Sequence, residues 1–295
     1  MKNTIIILIS FLLISCNNKK TETIKVMTWN IWHGGLHGTA KNNFKQDSSN
    51  TINTVKVLKQ VDPDILFMQE TYCCGMQAAK DADFLYSWRA SSNLSIHSKY
   101  PIIDTINLYQ PFNSQAVLIA INNKKILCIN LWLDWRPDYF NDFDRLTIDS
   151  MILGEKSRRF KEITAILKSV DSLNRKLNLP IILGGDFNSG SHLDWTESTK
   201  QWHFDKVIEW PVSKLMEEKG YIDTYRKANP DPITPLIGTW GFHDDKKSLL
   251  SDRIDFIYSK ADNISIESST IIKDDPIGGF FNSDHRAILT SFKLE

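Results

Sequence analysis

The sequence predicts an α/β fold in which two mixed β-sheets pack together with helices outside, and three observations carry that expectation. Short apolar or alternating stretches bounded by turn residues recur along the chain. Patterns of helical period lie between some of them. Hairpin-like neighbours, 115–121 and 125–133 joined by Asn122-Asn123, require antiparallel pairing, so the sheets are mixed rather than purely parallel.

Strands are expected at 24–30 (IKVMTWN), 65–70, 94–97, 115–121, 125–133, 180–183, 253–258, 264–272 and 286–293. One helix carries Ile52, Val55, Val57, Leu58 and Val61 and stops at Asp62-Pro63, where proline bars its continuation. Another carries Phe160, Ile163, Ile166, Leu167 and Val170 within 155–178. There is no internal repeat, low-complexity segment or linker after residue 24. With 295 residues, 42% hydrophobic and 24% charged, the chain holds enough apolar sequence for one large domain over 24–295.

Residues 1–16 stand apart from the fold. Lys2, an apolar run from Ile5 to Ile14, then Ser15 and Cys16 have the pattern of a signal peptide, and the run is short for a span of about 20 apolar residues. The ending Leu13-Ile14-Ser15-Cys16 resembles the lipobox of bacterial lipoproteins. That resemblance implies lipidation of Cys16, a polar tether over 17–23, and an exported chain anchored to the cell envelope, on the periplasmic or surface face of a membrane. No protein partner is inferable.

Removing residues 1–15 takes one base and no acid, leaving 34 bases against 35 acids and a side-chain balance of −1. That is no electrostatic footprint for general DNA binding, although a local basic patch would suffice for a nuclease. Beyond Cys16, Cys73, Cys74 and Cys128 are an odd set that forms no disulfide framework, and Cys73-Cys74 are expected as two half-buried thiols.

Several strands end in residues an apolar core would not choose. Asn30 closes the first and Glu70 the second, Asp186 and Asn188 end IILGGDFN, and Asp284-His285 precede the last. Acids are almost never buried alone, so acids at the ends of buried strands point to a shared site. Glu70, Asp284 and Asp186 offer hard oxygen ligands without clustered thiolates or histidines, which favours Mg²⁺, or Mn²⁺, over Zn²⁺. Asp186 suits a general base for water, Asn188 a neutral donor to a phosphoryl oxygen, and His285 a titrating group or donor. Gly184-Gly185 would let the backbone approach a ligand closely.

The ordered set Trp29-Asn30, Gln69-Glu70, Gly185-Asp186-Phe187-Asn188, Arg253-Ile254-Asp255 and Ser283-Asp284-His285 resembles the endonuclease/exonuclease/phosphatase superfamily over roughly residues 24–293. The resemblance implies a DNase I-like four-layer α/β/β/α sandwich and metal-dependent phosphoester hydrolysis. It makes Glu70 the main Mg²⁺ ligand with Asn30 beside it and Asp284 supporting the metal side. Asp186 then handles the attacking water, Asn188 holds the scissile phosphate and His285 contacts it. An acid behind His285 fixes its ring: Asp255 by the pattern of abasic-site endonucleases, which is preferred, or Asp252 by that of DNase I.

The segment NLWLDW places Trp132 where many members carry a phosphate-contacting histidine. Indole donates one hydrogen bond but carries no proton or charge into a site. Three readings follow: reduced phosphate stabilisation, compensation by Tyr139, Arg136 or another donor, or a degenerate enzyme used for binding. Trp240, with Trp195, is expected in loops near the site mouth, and Asp252 joins Trp132 and Trp240 as a substrate-side candidate. His33 and His37 suit a rim or a plain loop, and His97 a satisfied strand histidine. The substrate classes left open are a phosphorylated small molecule, a nucleotide, nucleic acid and a phospholipid head group. The alternatives to a general phosphoesterase are an extracellular nuclease or a non-catalytic phosphate-ligand binding protein.

Overall fold

A computed structural model describes residues 22–38, 45–139, 142–233, 238–241, 251–272 and 282–295. The signal expected over 1–16, Cys16 included, and residues 17–21 lie outside the described residues. The elements in chain order are β1 (Glu22–Asn30), α1 (Trp32–Gly35), α2 (Thr51–Val61), β2 (Ile65–Gln69), α3 (Gly75–Asp81), β3 (Tyr86–Trp88), β4 (Leu94–Ser98), β5 (Ile102–Ile106), β6 (Ser114–Ile121) and β7 (Lys124–Trp132). There follow α4 (Ile148–Ser157), α5 (Arg159–Leu177), β8 (Ile181–Asp186), α6 (Pro211–Glu218), β9 (Ile222–Asp223), α7 (Thr224–Ala228), β10 (Asp255–Lys260), β11 (Ile264–Ile271) and β12 (Ile288–Leu294).

The strands form two six-stranded mixed sheets, in the orders β11-β12-β1-β2-β4-β3 and β5-β6-β7-β8-β10-β9. In each, one central pair is parallel, β1 with β2 and β7 with β8, and the rest are antiparallel. The sheets meet through a layer holding Ile24, Val26, Ile65, Phe67, Cys128, Ile182, Ile257 and Phe292. Outside the first sheet, Met27, Trp29, Leu66 and Met68 pack on Val57 and Leu58 of α2. Outside the second, Leu127, Ile129 and Leu183 pack on Ile163, Ile166 and Val170 of α5 and Met216 of α6. The result is the four-layer α/β/β/α sandwich. Each fully buried Ile or Leu in these layers contributes about 1.5–3 kcal/mol.

Local chemistry sets the boundaries. Asp62 ends α2 in the left-handed region at φ 52° and Asn178 ends α5 at φ 48°, two residues before Pro180. Asn122 turns β6 into β7 at φ 52°. Gly184 faces the other sheet, where a Cβ would come within 2.9 Å of the Phe67 ring. At Gly185 a Cβ would strike the Leu131 carbonyl oxygen. The glycine pair therefore serves close packing of sheet on sheet and strand on strand, rather than approach to a ligand as the sequence suggested.

Cys73 and Cys74 are joined to each other by a disulfide, not left as two half-buried thiols. The tight turn in which the N–H groups of Cys74 and Gly75 both donate to the Thr71 carbonyl brings their sulfurs together. Cys128 is a buried free thiol. Among the described residues no helix is long and apolar enough to cross a membrane.

Candidate active site

Strand period builds the site. Side chains two apart share a face, so the rows facing the opposite sheet read Ile24–Val26–Thr28–Asn30, Ile65–Phe67–Gln69, Ile126–Cys128–Asn130–Trp132 and Ile182–Gly184–Asp186. On β10, running the other way, Ile257 and Asp255 continue the pattern. Every row is apolar at one pole and polar at the other. Gln69 Nε2 donates to Thr28 Oγ1 at 3.1 Å and to Asn130 Oδ1 at 2.7 Å, a buried polar seam beneath the site.

Above that seam, Asn30 Nδ2 donates to Glu70 Oε1 and to Asp186 Oδ2, each at 3.1 Å, and so ties the two sheets together. The Trp32 N–H in turn holds Asn30 Oδ1 at 2.9 Å, and the His33 N–H holds Glu70 Oε2 at 3.0 Å. These two donors point into the site because Trp32, His33, Gly34 and Gly35 all have positive φ. Asp186 Oδ1 accepts from the Asn188 N–H at 2.9 Å, and the Asn188 side-chain amide donates to Leu133 O at 2.9 Å and to Asp186 Oδ2 at 3.2 Å.

His285 arrives from the loop before β12. Ser283 Oγ donates to Asn30 O at 2.6 Å and accepts from the His285 N–H at 3.0 Å, while Trp29 Nε1 donates to His285 O at 3.1 Å. Its Nδ1 lies 2.9 Å from Asp255 Oδ2. Its Nε2 faces Asp186 and Asp284, 3.9 Å from a carboxylate oxygen of each. Burial disfavours the charged ring, but Asp255, Asp284 and Asp186 outweigh it and hold His285 protonated well above the ordinary histidine range. Burial likewise pushes the Asp186 carboxyl up, with Asp255 adding to the rise and His285 opposing it.

The cleft that opens here encloses about 170 Å³ and is walled by Trp32, Trp132, Trp135 and Trp240. Glu70, Asp138, Asp186 and Asp284 line it, and no described lysine or arginine does. Trp240 Nε1 donates to Asp284 Oδ2 at 3.2 Å. Phe112 meets Trp132 edge-on at 5.8 Å, and Asn113 bonds the Trp132 backbone on both sides.

The structure thus brings together Asn30, Glu70, Trp132, Asp186, Asn188, Trp240, Asp255, Asp284 and His285. Asp252 does not join them. It is turned inward, accepting from Trp195 Nε1 at 3.0 Å, because a buried indole needs an acceptor. Burial first, then Asp194, pushes the Asp252 carboxyl up to about 7. Trp195 is itself core rather than mouth, packed with Tyr139, Phe143 and Trp210. Tyr139 is buried with its hydroxyl donating to Met151 O, and Arg136 is bonded to Asp134, so neither lines the cleft. Trp32, Trp135 and Asp138 were not singled out from sequence. The glycine pair after Trp32-His33 was the available signal that those side chains belong to a tight turn at a strand end.

Ligand atoms of Asp186, Asp255 and His285 lie within 4.8 Å of one another. The 2.9 Å contact between His285 and Asp255 is a hydrogen bond that orients the ring, which leaves the more open carboxylates of Glu70 and Asp284 facing the cleft.

A protein of Caenorhabditis elegans, the uncharacterized protein F14F9.5, is 29% identical over 270 residues, covering 83% of this chain and 81% of its own length. Among solved structures, D. rerio TDP2 complexed with a single strand DNA product superposes with a TM-score of 0.61 at 13% identity, covering 92% of this chain and 98% of that one. An endonuclease/exonuclease/phosphatase from Beutenbergia cavernae gives 0.60 at 16% identity, covering 92% and 72%. These likenesses show a shared fold. Residues 27–285, from the strand that delivers Asn30 to His285 itself, match the family model, and the chain belongs to the Endonuclease/Exonuclease/phosphatase family.

Proposed function

We propose that the chain is a divalent-metal-dependent phosphoesterase that cleaves a phosphodiester or phosphomonoester by in-line attack of water, working outside the cytoplasm from a lipid anchor at Cys16. One observation carries the reading: four carboxylates and no described lysine or arginine line the cleft. Even with the protonated His285 among them, four acids repel a phosphate unless a further cation intervenes. The oxygen-rich donor set fits Mg²⁺ or Mn²⁺, with Glu70 and Asp284 as ligands and Asn30 beside them. When bound, the metal would polarise a phosphoryl oxygen and offset the charge that develops on it.

The chain's own groups divide the remaining work. Asp186, its proton affinity raised by burial, is suited to take a proton from water near neutral pH. The protonated His285 stands beside it as a donor to a phosphoryl oxygen, Asn188 would join it by turning one amide hydrogen away from Leu133 O or Asp186 Oδ2, and Asp255 fixes the His285 ring. Trp132 fills a wall position with an apolar, neutral ring.

The four tryptophan walls favour a second, narrower reading, an extracellular nuclease, because nucleobases stack on aromatic faces. The DNA product in the D. rerio TDP2 structure supports that class of substrate.

The test is hydrolysis by residues 17–295 of bis-p-nitrophenyl phosphate, p-nitrophenyl phosphate, plasmid DNA and sphingomyelin, with Mg²⁺, Mn²⁺ or EDTA and with Asp186→Ala as blank. Metal-dependent turnover absent from the variant is expected. Silence on all four from a folded, metal-binding protein would sink the enzymatic reading in favour of a phosphate-ligand binding protein.

A further inference from the structure

The first strand determines which way the cleft points relative to the anchor. β1 runs nine residues from Glu22 to Asn30, and the Asn30 amide sits in the site between Glu70 and Asp186. Glu22 lies at the other pole of the sandwich. It pairs with Leu294, accepts from the Asn122 amide in the β6–β7 turn, and accepts from Tyr100 Oη at 3.4 Å. At about 3.3 Å per residue, the eight steps of β1 put Glu22 about 26 Å from the site.

The chain between Cys16 and Glu22 is short and polar, NNKKT. Six steps of even fully extended chain span no more than about 22 Å. For the cleft to meet a bilayer head-on, Glu22 would have to stand at least about 26 Å above it, which the tether cannot reach. Two of the acids close to this pole are paired with bases: Asp62 and Asp64 share Lys99, at 2.6 and 3.4 Å, and Asp62 also meets Lys25 at 3.6 Å.

We propose that the pole bearing Glu22, Tyr100 and Asn122 faces the anchoring membrane and the cleft faces away from it, so that the substrate is a water-soluble phosphoester and head groups of the chain's own bilayer are out of reach. This rests on the phosphoesterase reading and on the anchor at Cys16. It removes one substrate class, the phospholipid head group of the same membrane, that the cleft alone would admit.

The experiment uses the full acylated chain in phosphatidylcholine vesicles containing sphingomyelin and a trace of rhodamine-phosphatidylethanolamine. A donor dye is placed at Asn123→Cys, exposed at the Glu22 pole, or at Asp138→Cys, exposed at the cleft mouth. Labelling without reductant leaves the Cys73–Cys74 pair closed. Energy transfer to the bilayer at least twofold more efficient from position 123 is expected, together with no cleavage of the sphingomyelin. Equal or stronger transfer from position 138, sphingomyelin cleavage in the same vesicles, or an unacylated Cys16 by mass spectrometry would each overturn the proposal. Turnover of bis-p-nitrophenyl phosphate by the unlabelled vesicle-bound chain is read separately. Its failure alongside the expected transfer pattern would refute the enzymatic reading and leave the orientation established.

Discussion

His285 Nδ1 and Asp255 Oδ2 lie 2.9 Å apart at the junction of the two sheets, and Asp255 is wholly sealed from solvent. The contact selects one ring face and one charge state, so the other nitrogen is presented as a donor. Asp255→Ala is expected to lower kcat on a simple phosphodiester by about 10²–10⁴ with a much smaller change in KM. A loss confined to KM, measured by steady-state kinetics, would contradict the orienting role.

Trp132 gives the second prediction. Its neutral ring stands beside Asp186 in the β7–β8 pairing and is held there by Phe112 and Asn113. Trp132→His supplies a donor able to carry charge, and single donors of this kind contribute about 10²–10³ in rate. Turnover of bis-p-nitrophenyl phosphate is expected to rise. An unchanged or lower rate in initial-velocity assays would show that the contact is not limiting.

Arg253 gives the third, concerning stability. Its guanidinium is buried between Asp194 and Asp223, at 2.7 and 2.8 Å, and Asp194 is shared with Arg226. Removing one partner from such a group leaves buried charge uncompensated. Arg253→Met is expected to cost about 3–5 kcal/mol in urea denaturation. A loss under 1 kcal/mol would mean that the acids are relieved by water or by Arg226 alone.

His97 sets a pH dependence. It is fully buried on β4 between Ser87 and Ser95, each 2.7 Å from a ring nitrogen, and burial pushes it down to about 3. Above its ordinary value of 6.5 the ring is neutral folded or unfolded, and pH has no effect through it. As the pH falls below that value only the unfolded chain takes up the proton. Stability therefore falls by about 1.4 kcal/mol per pH unit down to the folded value. His97→Gln should shrink the difference in urea midpoint between pH 7 and pH 5; an unaltered difference would assign the acid sensitivity to other groups.

How far the molecule is legible from sequence follows burial. The inward rows of β1, β2, β7 and β8 are apolar until their last members, so the strands and their polar ends could both be read. β3 and β5 could not: residues such as Ser87, Ile103, Asp104 and Thr105 lie on exposed edges and carry no alternation. β9 is two residues long and exists through its pairing with β10. Its antiparallel partner begins at Asp255, two residues later than the sequence suggests, because Ile254 prolongs the apolar pattern although Arg253 before it is buried as an ion pair.

The site was legible to the degree that it is made of strand ends. What escaped was direction. Asp252 and Asp255 are both fully buried acids three residues apart, and only the inward face of β10 distinguishes the one that meets His285 from the one that meets Trp195. Likewise Gly184-Gly185 announced a close approach without saying to what. The partners, Phe67 and Leu131, come from other strands.

The strand order of the first sheet has a consequence for how the protein is made. β12, encoded last, lies between β1, encoded first, and β11. His285 precedes that strand, and Asn30 closes the first. A chain still being synthesised cannot close this sheet, or assemble the cleft, until β12 has emerged. Chains truncated before residue 285 would leave an unpaired edge on β1 and lack His285, so an assembled cleft reports a chain read through to its last strand.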